Sequence, residues 1–355
     1  MNARSTKAVT YAVEIPAPGI APRLVRRPRP VPTPGEVLVR CLAVGVCGSD
    51  LDLLDGTRPP GFARYPVIPG HEIAATVAEA PAGSGLRPGQ HVAVAGMRWC
   101  GRCARCADGQ QNLCLGGYAE LGFTEPGGLA GHLTVPLTQV YPLPPGLDPR
   151  AGVLLEPAAV MCLALTGLPP LAGRTAAVVG DGTLGLIAVQ LLRAYGAAHI
   201  TAYGRSPRRL ELATACGADR TVVTDGREPA PGPAHDVVVE AAGHPDALAT
   251  ALTTARPGGH VVLTGVAGAW PALEPDLLVV RHLTVRGSVG STPASWRRAV
   301  DLTAAGQLRP HLLLGPCFPL ADTARAYAAA RTGAPGDASG GGVKTVITHP
   351  QEEHL

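Results

Sequence analysis

The stretch TAAVVGDGTLG, residues 175–185, decides the fold of the second half of the chain. An apolar, β-like run ends in the pattern GxGxxG, and helical periodicity follows over about 183–195. Apolar runs then keep alternating with helical stretches, which predicts a parallel sheet with helices on both faces, a doubly wound α/β fold. Strands are expected at residues 175–180, 199–203, 220–224, 236–240, 260–264 and 283–286, with a second helix at 207–216.

The glycines of this pattern have distinct roles when such a turn binds a dinucleotide. Gly180 makes the tight turn, Gly182 lets the backbone approach a pyrophosphate, and Gly185 lets the helix pack closely on the strand. Thr183 and Leu184 open the helix, whose N-terminus offers unpaired N–H donors and a positive dipole to phosphate. The stretch therefore predicts a dinucleotide site, and the alternative is a glycine-rich turn with no ligand.

The end of the second predicted strand indicates which nicotinamide cofactor is bound. An NAD site places Asp or Glu there to accept the ribose hydroxyls, but this chain has Gly204 followed by Arg205. A guanidinium binds a 2′-phosphate through charge-assisted hydrogen bonds, whereas a carboxylate repels it. We therefore predict NADP(H), with Arg205 as the main contact and Ser206 and Arg209 as helpers. The alternative is that both arginines are solvated charges at a helix start.

Four cysteines lie within fifteen residues in the first half of the chain: Cys100, Cys103, Cys106 and Cys114. Four thiolates close a tetrahedral zinc site that has no exchangeable position, and the short spacing lets one loop wrap three ligands around one ion. Core cysteines or disulfides are the alternative, which the polar residues between them and the lack of a secretory signal disfavour. The cluster predicts a structural zinc.

Composition limits the classes of function. The 355 residues are 46% hydrophobic and 16% charged, and this length favours two domains. A net charge of +3 without a Lys/Arg run argues against a nucleic acid partner. No apolar run is long enough for a membrane span and no signal peptide is evident, so we expect no membrane partner and a cytoplasmic location.

The first 150 or so residues have a different texture, rich in proline and glycine. Short β-like runs at 36–41, 73–78 and 91–95 are separated by Pro-Gly turns, which predicts an irregular β domain. The tail predicts two helices and a last strand at 343–347, after a glycine-rich loop at 339–342.

A second metal site is predicted from three stretches far apart in sequence, Cys47-Gly-Ser-Asp50, Gly70-His-Glu72 and Leu155-Glu-Pro157. A catalytic zinc takes about three protein ligands and keeps a fourth position exchangeable, and one Cys, one His and one Glu meet that requirement. Each of these residues alone is more often a core or solvated side chain. Only their combination with the other two motifs favours a reactive metal centre.

Together the motifs resemble those of the zinc-containing medium-chain dehydrogenase/reductase family, in its sorbitol, threonine and polyol dehydrogenase branch, over nearly the whole chain. The resemblance is carried by Val46-Cys-Gly-Ser-Asp50, Pro69-Gly-His-Glu72, the four cysteines, Leu155-Glu-Pro157, Gly180-Asp-Gly-Thr-Leu-Gly185 and Arg256-Pro-Gly-Gly-His-Val-Val262. It implies a GroES-like β domain at 1–155 with a zinc lobe at 96–116, a Rossmann domain at 156–293, and a C-terminal segment at 294–355 that completes the first domain.

The resemblance also implies roles around the reactive zinc. Cys47, His71 and Glu156 look like its ligands. Glu72 looks like a neighbour that enters the coordination shell or carries a water. Asp50 looks like the carboxylate that orients the ring of His71.

Further roles concern the proton and the cofactor. Ser49 is expected to take up the alcohol proton. Many relatives carry His where this chain has Asp52, so Asp52 either replaces that proton relay, contacts the substrate or has no chemical role. Gly265, Ser288 and Lys344 are expected cofactor contacts, with Lys344 facing the pyrophosphate unless it is an ordinary surface lysine.

The implied activity is zinc-dependent hydride transfer between NADP(H) and a secondary alcohol or ketone, in a homodimer or homotetramer with one catalytic and one structural zinc per chain. The small-molecule substrate is expected to be a polyol, sugar or aminocyclitol, bound at residues 53–65 and 118–124. Arg58, Arg64 and Glu120 are its candidate contacts, with surface salt bridges as the alternative. Rival functions are a non-catalytic binding protein, an NAD-dependent polyol or threonine-type dehydrogenase, and a zinc-free quinone or enoyl reductase.

Overall fold

The computed structural model describes residues 9–224, 232, 234–269, 275–332 and 342–350. The chain divides into two units. The first contains Met1–Glu156 and Leu314–Leu355, and the second contains Pro157–Leu313. The second boundary falls later than the predicted residue 294, because the helix Pro293–Ala304 belongs to the second unit.

The amino-terminal part of the first unit consists of β-strands and short helices. Apolar runs between turns form these strands, including the three predicted from the sequence. The strands are β1 (Val9–Glu14), β2 (Arg23–Pro28), β3 (Glu36–Gly45), β4 (Glu72–Glu79), β5 (His91–Val94), β6 (His132–Pro136) and β7 (Val140–Pro142), and the helices are α1 (Gly48–Asp55) and α2 (Ala104–Ala107). Short 3-10 turns lie at Gln111–Leu113, Leu137–Gln139 and Pro149–Leu154.

The second unit alternates strands and helices, as predicted. It contains α3 (Leu155–Ala164), whose first residues belong to the first unit, β8 (Thr175–Val179), α4 (Thr183–Ala194), β9 (His199–Gly204), α5 (Pro207–Cys216), β10 (Arg220–Val223), β11 (His235–Glu240), α6 (Pro245–Thr254), β12 (Ala255–Leu263), α7 (Asp276–Val280), β13 (Thr284–Gly287) and α8 (Pro293–Ala304). These strands are parallel, in the order β10-β9-β8-β11-β12-β13. The predicted doubly wound sheet is confirmed.

The burial of its strands explains why this sheet is parallel, and its strand order indicates the edge at which a ligand would bind. β11 is buried along its whole length, so its three valines face apolar neighbours on both sides, as in a central parallel strand. α4 buries an unbroken run of side chains and packs on β8 and β9. The strand order reverses between β8 and β11, and open α/β sheets bind ligands at the carboxyl ends of strands flanking such a point.

The C-terminal part of the chain returns to the first unit as β14 (Leu314–Pro319), α9 (Thr323–Thr332) and β15 (Lys344–Thr348). β15 pairs in parallel with β14 and antiparallel with β3. The resulting sheet has the order β14-β15-β3-β4-β5-β7, and β6 also pairs with β3. The predicted loop at 339–342 lies outside the described residues except for Gly342. Among the described residues, no helix combines the length and apolar character that crossing a membrane requires.

Candidate metal and dinucleotide sites

The four cysteines of the predicted zinc lobe converge in the structure. The Sγ atoms of Cys100, Cys103, Cys106 and Cys114 all lie within 4.8 Å of one another, and all four are free thiols. A tetrahedral zinc with Zn–S bonds of about 2.3 Å requires sulfur atoms about 3.8 Å apart. The four-cysteine cluster therefore fits a closed zinc site.

Backbone N–H groups stabilise the thiolate form of two members of this cluster, Cys103 and Cys114, whereas desolvation raises the pKa of Cys106 to about 12. Cys100 and Gly116 each donate to Cys114 Sγ at 3.3 Å, and Leu115 donates to Cys103 Sγ at 3.5 Å. These bonds lower the pKa of Cys103 to about 6 and also lower the pKa of Cys114. Because the thiolate is the ligand form of cysteine, the backbone prepares the cluster for a cation.

A second set of ligating side chains gathers where α1 and β4 begin. The ligand atoms of Cys47, His71 and Glu72, which we call the mixed-ligand group, lie within 4.8 Å of one another. Cys47 is the N-cap of α1, and its backbone N–H donates to Asp50 Oδ2 at 2.8 Å. The structure thus brings together Cys47, His71 and Glu72, three of the four side chains that the sequence analysis associates with the reactive zinc.

Glu156 lies near the mixed-ligand group, at the start of α3, and is half-buried. Burial raises the pKa of Glu156 to about 8; His71 opposes this shift, and the carboxylates of Glu72 and Glu120 add to it. Burial and neighbouring negative charge both disfavour its carboxylate, and a bound cation would relieve both effects. Glu156 therefore remains a candidate ligand beside Glu72.

Lys344 contacts Glu72 within the first unit. Its Nζ donates to Glu72 Oε1 at 2.7 Å and to the Val46 carbonyl at 3.2 Å, and the two charged side chains are only 4% and 1% exposed. The pyrophosphate contact expected for Lys344 gains no support from these partners. Glu72 Oε2 is buried and has no hydrogen-bond partner within the described part of the chain. This unpaired oxygen fits a metal ligand.

Asp50 lies where it can orient the histidine. Its Oδ1 is 3.4 Å from His71 Nδ1, and its Oδ2 accepts the Cys47 N–H at 2.8 Å. Burial by itself lowers the pKa of His71, but the charges of Asp50 and Cys47 outweigh it, so that the pKa is raised well above its usual value. With Nδ1 facing Asp50, Nε2 is the ring nitrogen available to a metal.

Ser49 and Asp52 lie three residues apart on α1 and therefore on one face of the helix. Ser49 is half-buried and Asp52 is exposed. Asp52 Oδ1 accepts a hydrogen bond from the Thr57 hydroxyl at 3.4 Å. One helix face thus carries a partly enclosed hydroxyl and, one turn later, a carboxylate exposed to water.

The two sequence segments predicted to contact substrate meet in one hydrogen-bonded chain. Arg58 Nη2 donates to the Tyr118 hydroxyl at 2.9 Å, and that hydroxyl donates to Glu120 Oε2. The Arg58 guanidinium also lies 3.7 Å from the centre of the Phe123 ring, which is 4.8 Å from the histidine ring of the mixed-ligand group. Arg64 is exposed, and its backbone N–H donates to the Phe123 carbonyl.

The GxGxxG turn joins β8 to α4 in the second unit. A Cβ on Gly185 would lie 1.9 Å from the Gly180 carbonyl oxygen, so only glycine lets the turn and the helix pack this closely. Gly182 is the N-cap of α4, and a Cβ there would meet nothing within 4 Å. Among the described residues no side chain caps this helix. The N–H groups at Thr183 and Leu184 are therefore left for a ligand phosphate, as a dinucleotide requires.

Other predicted cofactor residues lie at the same edge of the sheet. Gly265 follows β12, and Ser288 follows β13. Glu240 ends β11 and was not predicted; its carboxylate accepts the N–H groups of Ala242 at 2.8 Å, Gly243 at 2.7 Å and Gly265 at 3.3 Å. Glu240 thereby fixes two loops at the carboxyl edge of the sheet.

The turn after β9 carries the predicted NADP contacts. Arg205 is exposed, and Ser206 caps α5 by accepting the Arg209 N–H at 3.5 Å. Asp181, inside the GxGxxG pattern, was not predicted to reach this turn. Its Oδ2 accepts the N–H groups of Arg205 at 2.9 Å and Ser206 at 2.8 Å. The one feature of the sequence that could have indicated this contact is the carboxylate of Asp181, which lies between two glycines of the GxGxxG pattern.

Two protein-family models match the chain. Residues 33–145 match the alcohol dehydrogenase GroES-like domain, and residues 183–305 match the zinc-binding dehydrogenase model. These matches, with the sheet topologies above, confirm the predicted combination of a GroES-like domain with a Rossmann-type sheet.

Similar proteins span nearly the whole chain. The L-galactonate-5-dehydrogenase of Escherichia coli (strain K12) is 30% identical over 314 residues, which cover 86% of this chain and 91% of that protein. A solved structure from Sinorhizobium meliloti 1021, assigned as a zinc-binding dehydrogenase and bound to NADP, has a TM-score of 0.85 at 32% identity, covering 96% of this chain and 99% of its own. RspB of Escherichia coli CFT073, complexed with NADH, has a TM-score of 0.83 at 25% identity, with coverage of 96% and 99%.

Proposed function

Because the chain belongs to the zinc-containing medium-chain dehydrogenase/reductase family, in its polyol dehydrogenase branch, we propose that it transfers a hydride between NADP(H) and a secondary alcohol or ketone of a polyol, sugar or aminocyclitol. As a member of this family it is an oxidoreductase that uses zinc and a nicotinamide cofactor on a small-molecule substrate. The observation that carries the finer proposal is the mixed-ligand group, with its unpaired Glu72 oxygen.

Cys47 and His71 would hold the catalytic zinc, with Glu72 or Glu156 as the carboxylate ligand. When bound, zinc supplies Lewis-acid polarisation of the alcohol or carbonyl oxygen, and the nicotinamide accepts or donates the hydride. The four-cysteine cluster would hold a second, structural zinc.

The chain's own residues orient the ligands and move the proton. Asp50 holds the His71 ring through Nδ1, which fixes the direction of Nε2. The Ser49 hydroxyl takes up the substrate proton, and Asp52, one helical turn later and in contact with water, passes it to solvent. The exposed position of Asp52 supports a relay more than a contact with an enclosed substrate.

NADP(H) is proposed because Gly204 occupies the position of a ribose-binding acid and Arg205 follows it. The solved relatives include one bound to NADP and one complexed with NADH, so family membership alone is compatible with both cofactors. The exposed guanidinium of Arg205, at the start of α5, supports binding of a 2′-phosphate.

A polar substrate is proposed because the chain of Arg58, Tyr118 and Glu120 presents a cation, a hydroxyl and a carboxylate near the mixed-ligand group. Such groups hydrogen-bond a substrate with several hydroxyl or amino groups. An apolar alcohol would leave them without substrate partners.

A homo-oligomer is proposed from the edge of the parallel sheet. Within the described residues, β13 pairs with β12 alone. Val279 and Val280, just before it, are 80% and 81% exposed. An open strand edge beside exposed apolar side chains favours pairing with a second copy.

The proposed function is tested by a metal count and a substrate panel. The purified protein should hold two zinc ions per chain. The Cys47→Ala variant should hold one zinc ion and lose turnover. Cys317, a half-buried cysteine outside both sites, provides the matched control, because Cys317→Ser should change neither the zinc count nor the turnover. When polyols, sugars and aminocyclitols are assayed with both cofactors, at least one of them should be oxidised with a kcat/KM clearly higher for NADP⁺ than for NAD⁺. A single zinc in the wild type would contradict the metal assignment, and higher kcat/KM with NAD⁺ would contradict the cofactor assignment.

A further inference from the structure

We propose that Asp181 is a positioning residue for the 2′-phosphate of NADP(H). Its carboxylate would fix the backbone of the turn after β9, so that Arg205, Ser206 and Arg209 bind the phosphate together. This inference rests on the proposed preference for NADP(H) and names a residue outside the usual ribose-binding position at the end of the second strand.

The contacts of Asp181 cross from one loop of the sheet edge to the next. Oδ2 accepts the N–H groups of both Arg205 and Ser206, at 2.9 and 2.8 Å. The other side of the turn is also fixed, because Thr224 donates its N–H to the Gly204 carbonyl at 2.7 Å and its hydroxyl to the same oxygen at 3.2 Å. The peptide that precedes Arg205 is therefore held from both sides.

Asp181 also explains why residue 204 is glycine. A Cβ on Gly204 would lie 2.6 Å from Asp181 Cβ and 2.7 Å from its Oδ2. A ribose-binding acid at residue 204 is thus incompatible with Asp181 in this conformation. The carboxylate beside this turn therefore belongs to Asp181 of the glycine-rich turn and not to residue 204, and it accepts hydrogen bonds from backbone N–H groups.

The charge of Asp181 is balanced inside the turn. Two N–H groups occupy Oδ2, and Arg209 Nη1 lies 3.8 Å from Oδ1. The carboxylate side chain is only 14% exposed. Its negative charge therefore anchors the backbone and attracts the Arg209 guanidinium towards the turn that carries Arg205, and the two arginines leave the turn attractive to an anion.

A competing role follows from the same position. If the carboxylate instead accepted a ribose hydroxyl, as an NAD-type acid does, it would oppose a 2′-phosphate. The two roles make opposite predictions for removal of the side chain, which a binding measurement can separate.

The experiment measures Kd by calorimetry for 2′,5′-ADP, which carries the 2′-phosphate without a nicotinamide, and for 5′-AMP, which differs from it only by lacking that phosphate. Wild-type protein should bind 2′,5′-ADP at least about tenfold more tightly, the size of one charge-assisted hydrogen bond. Asp181→Ala should weaken binding of 2′,5′-ADP by about tenfold and leave the Kd of 5′-AMP within about threefold. Asp181→Asn keeps an acceptor oxygen and should retain most of the preference.

Asp219→Ala is the matched control. Asp219 Oδ2 accepts the Ile200 N–H at 2.7 Å near the start of β9, so this variant removes a similar backbone anchor far from the cofactor edge. It should lower the melting temperature while the ratio of the two Kd values stays as in the wild type.

The outcomes separate the inference from the cofactor proposal. A wild type that binds 5′-AMP as tightly as 2′,5′-ADP refutes the NADP(H) proposal and the inference together. A wild-type preference that persists unchanged in Asp181→Ala, or that increases, refutes the inference alone. Should the alanine variant not fold, Asp181→Asn decides: a preference for 2′,5′-ADP smaller than in the wild type supports the inference, and a preference equal to or greater than that of the wild type overturns it.

Discussion

Replacing Lys344 with Met removes one partner of the most buried ion pair described above. Lys344 Nζ and Glu72 Oε1 are 2.7 Å apart, and the side chains are 4% and 1% exposed. At an effective dielectric constant of about 20, opposite charges at this distance attract by about 6 kcal/mol. Desolvation of the two charges cancels much of this attraction. Because Lys344→Met leaves the Glu72 carboxylate of the metal-free protein buried without its counter-charge, we expect the free energy of unfolding of that form to fall by about 3–5 kcal/mol.

Urea unfolding followed by circular dichroism measures this loss in Lys344→Met, Glu72→Gln and the double variant. The double variant should lie closer to wild type than the sum of the single changes, because it leaves no uncompensated charge. Arg331→Met is the matched control. It breaks an ion pair with Asp55 of similar length, 2.8 Å, whose side chains are 49% and 42% exposed, and solvent screening should make its effect much smaller.

Two results would refute this reasoning. One is a Lys344→Met variant no less stable than Arg331→Met, which would show that burial adds nothing to the pair. The other is strict additivity in the double variant, which would show that Lys344 and Glu72 do not interact.

Further predictions concern metal, pH and the proton. Cys103→Ser should lower bound zinc from two ions per chain to one and lower the melting temperature, whereas Cys317→Ser should change neither; equal zinc in both variants would argue against the cluster. Burial lowers the pKa of His235 and His349 to about 4, so the unfolded chain binds protons that the folded chain does not, and the contribution of these histidines to stability should fall as pH drops from about 6.5 towards 4. The raised pKa of Glu156 acts in the opposite direction, so the test is a comparison of variants: the urea midpoint of His349→Gln should fall less between pH 7 and 5 than that of the wild type, and an equal fall would contradict this. Asp52→Ala should alter the pH dependence of kcat, and an unchanged profile would rule out the relay.

Local patterns made most of the fold predictable. The three valines of β11 and the glycines of the GxGxxG turn are set by neighbours in the sequence, so their structures follow from periodicity and turn chemistry alone. β12 shows where such patterns mislead. It begins at Ala255, but Pro257, Gly258 and Gly259 are turn formers and concealed its first half. Ala255 pairs with His235 of β11, and the strand pairs with both β11 and β13 from His260 onward.

The candidate sites were predictable only where ligands are close in sequence or carried by a family pattern. The four cysteines fall within one loop, so spacing sufficed. Lys344 and Glu72 are 272 residues apart, and their pairing depends on β15 docking beside β3, which no local pattern encodes. Asp181 likewise meets partners 24 and 25 residues away, across a parallel sheet whose order must be known first.

The position of β15 between β14 and β3 has a consequence for biosynthesis. A ribosome delivers the chain from its N-terminus, so the second unit, complete at Leu313, is translated before this strand. Until then β3 lacks its β15 partner along residues 43–45, and Glu72 has no ammonium to pair with. A chain that ends before Lys344 would therefore contain every residue of the second unit, while the first unit would keep an unpaired strand segment and a buried carboxylate without its counter-charge.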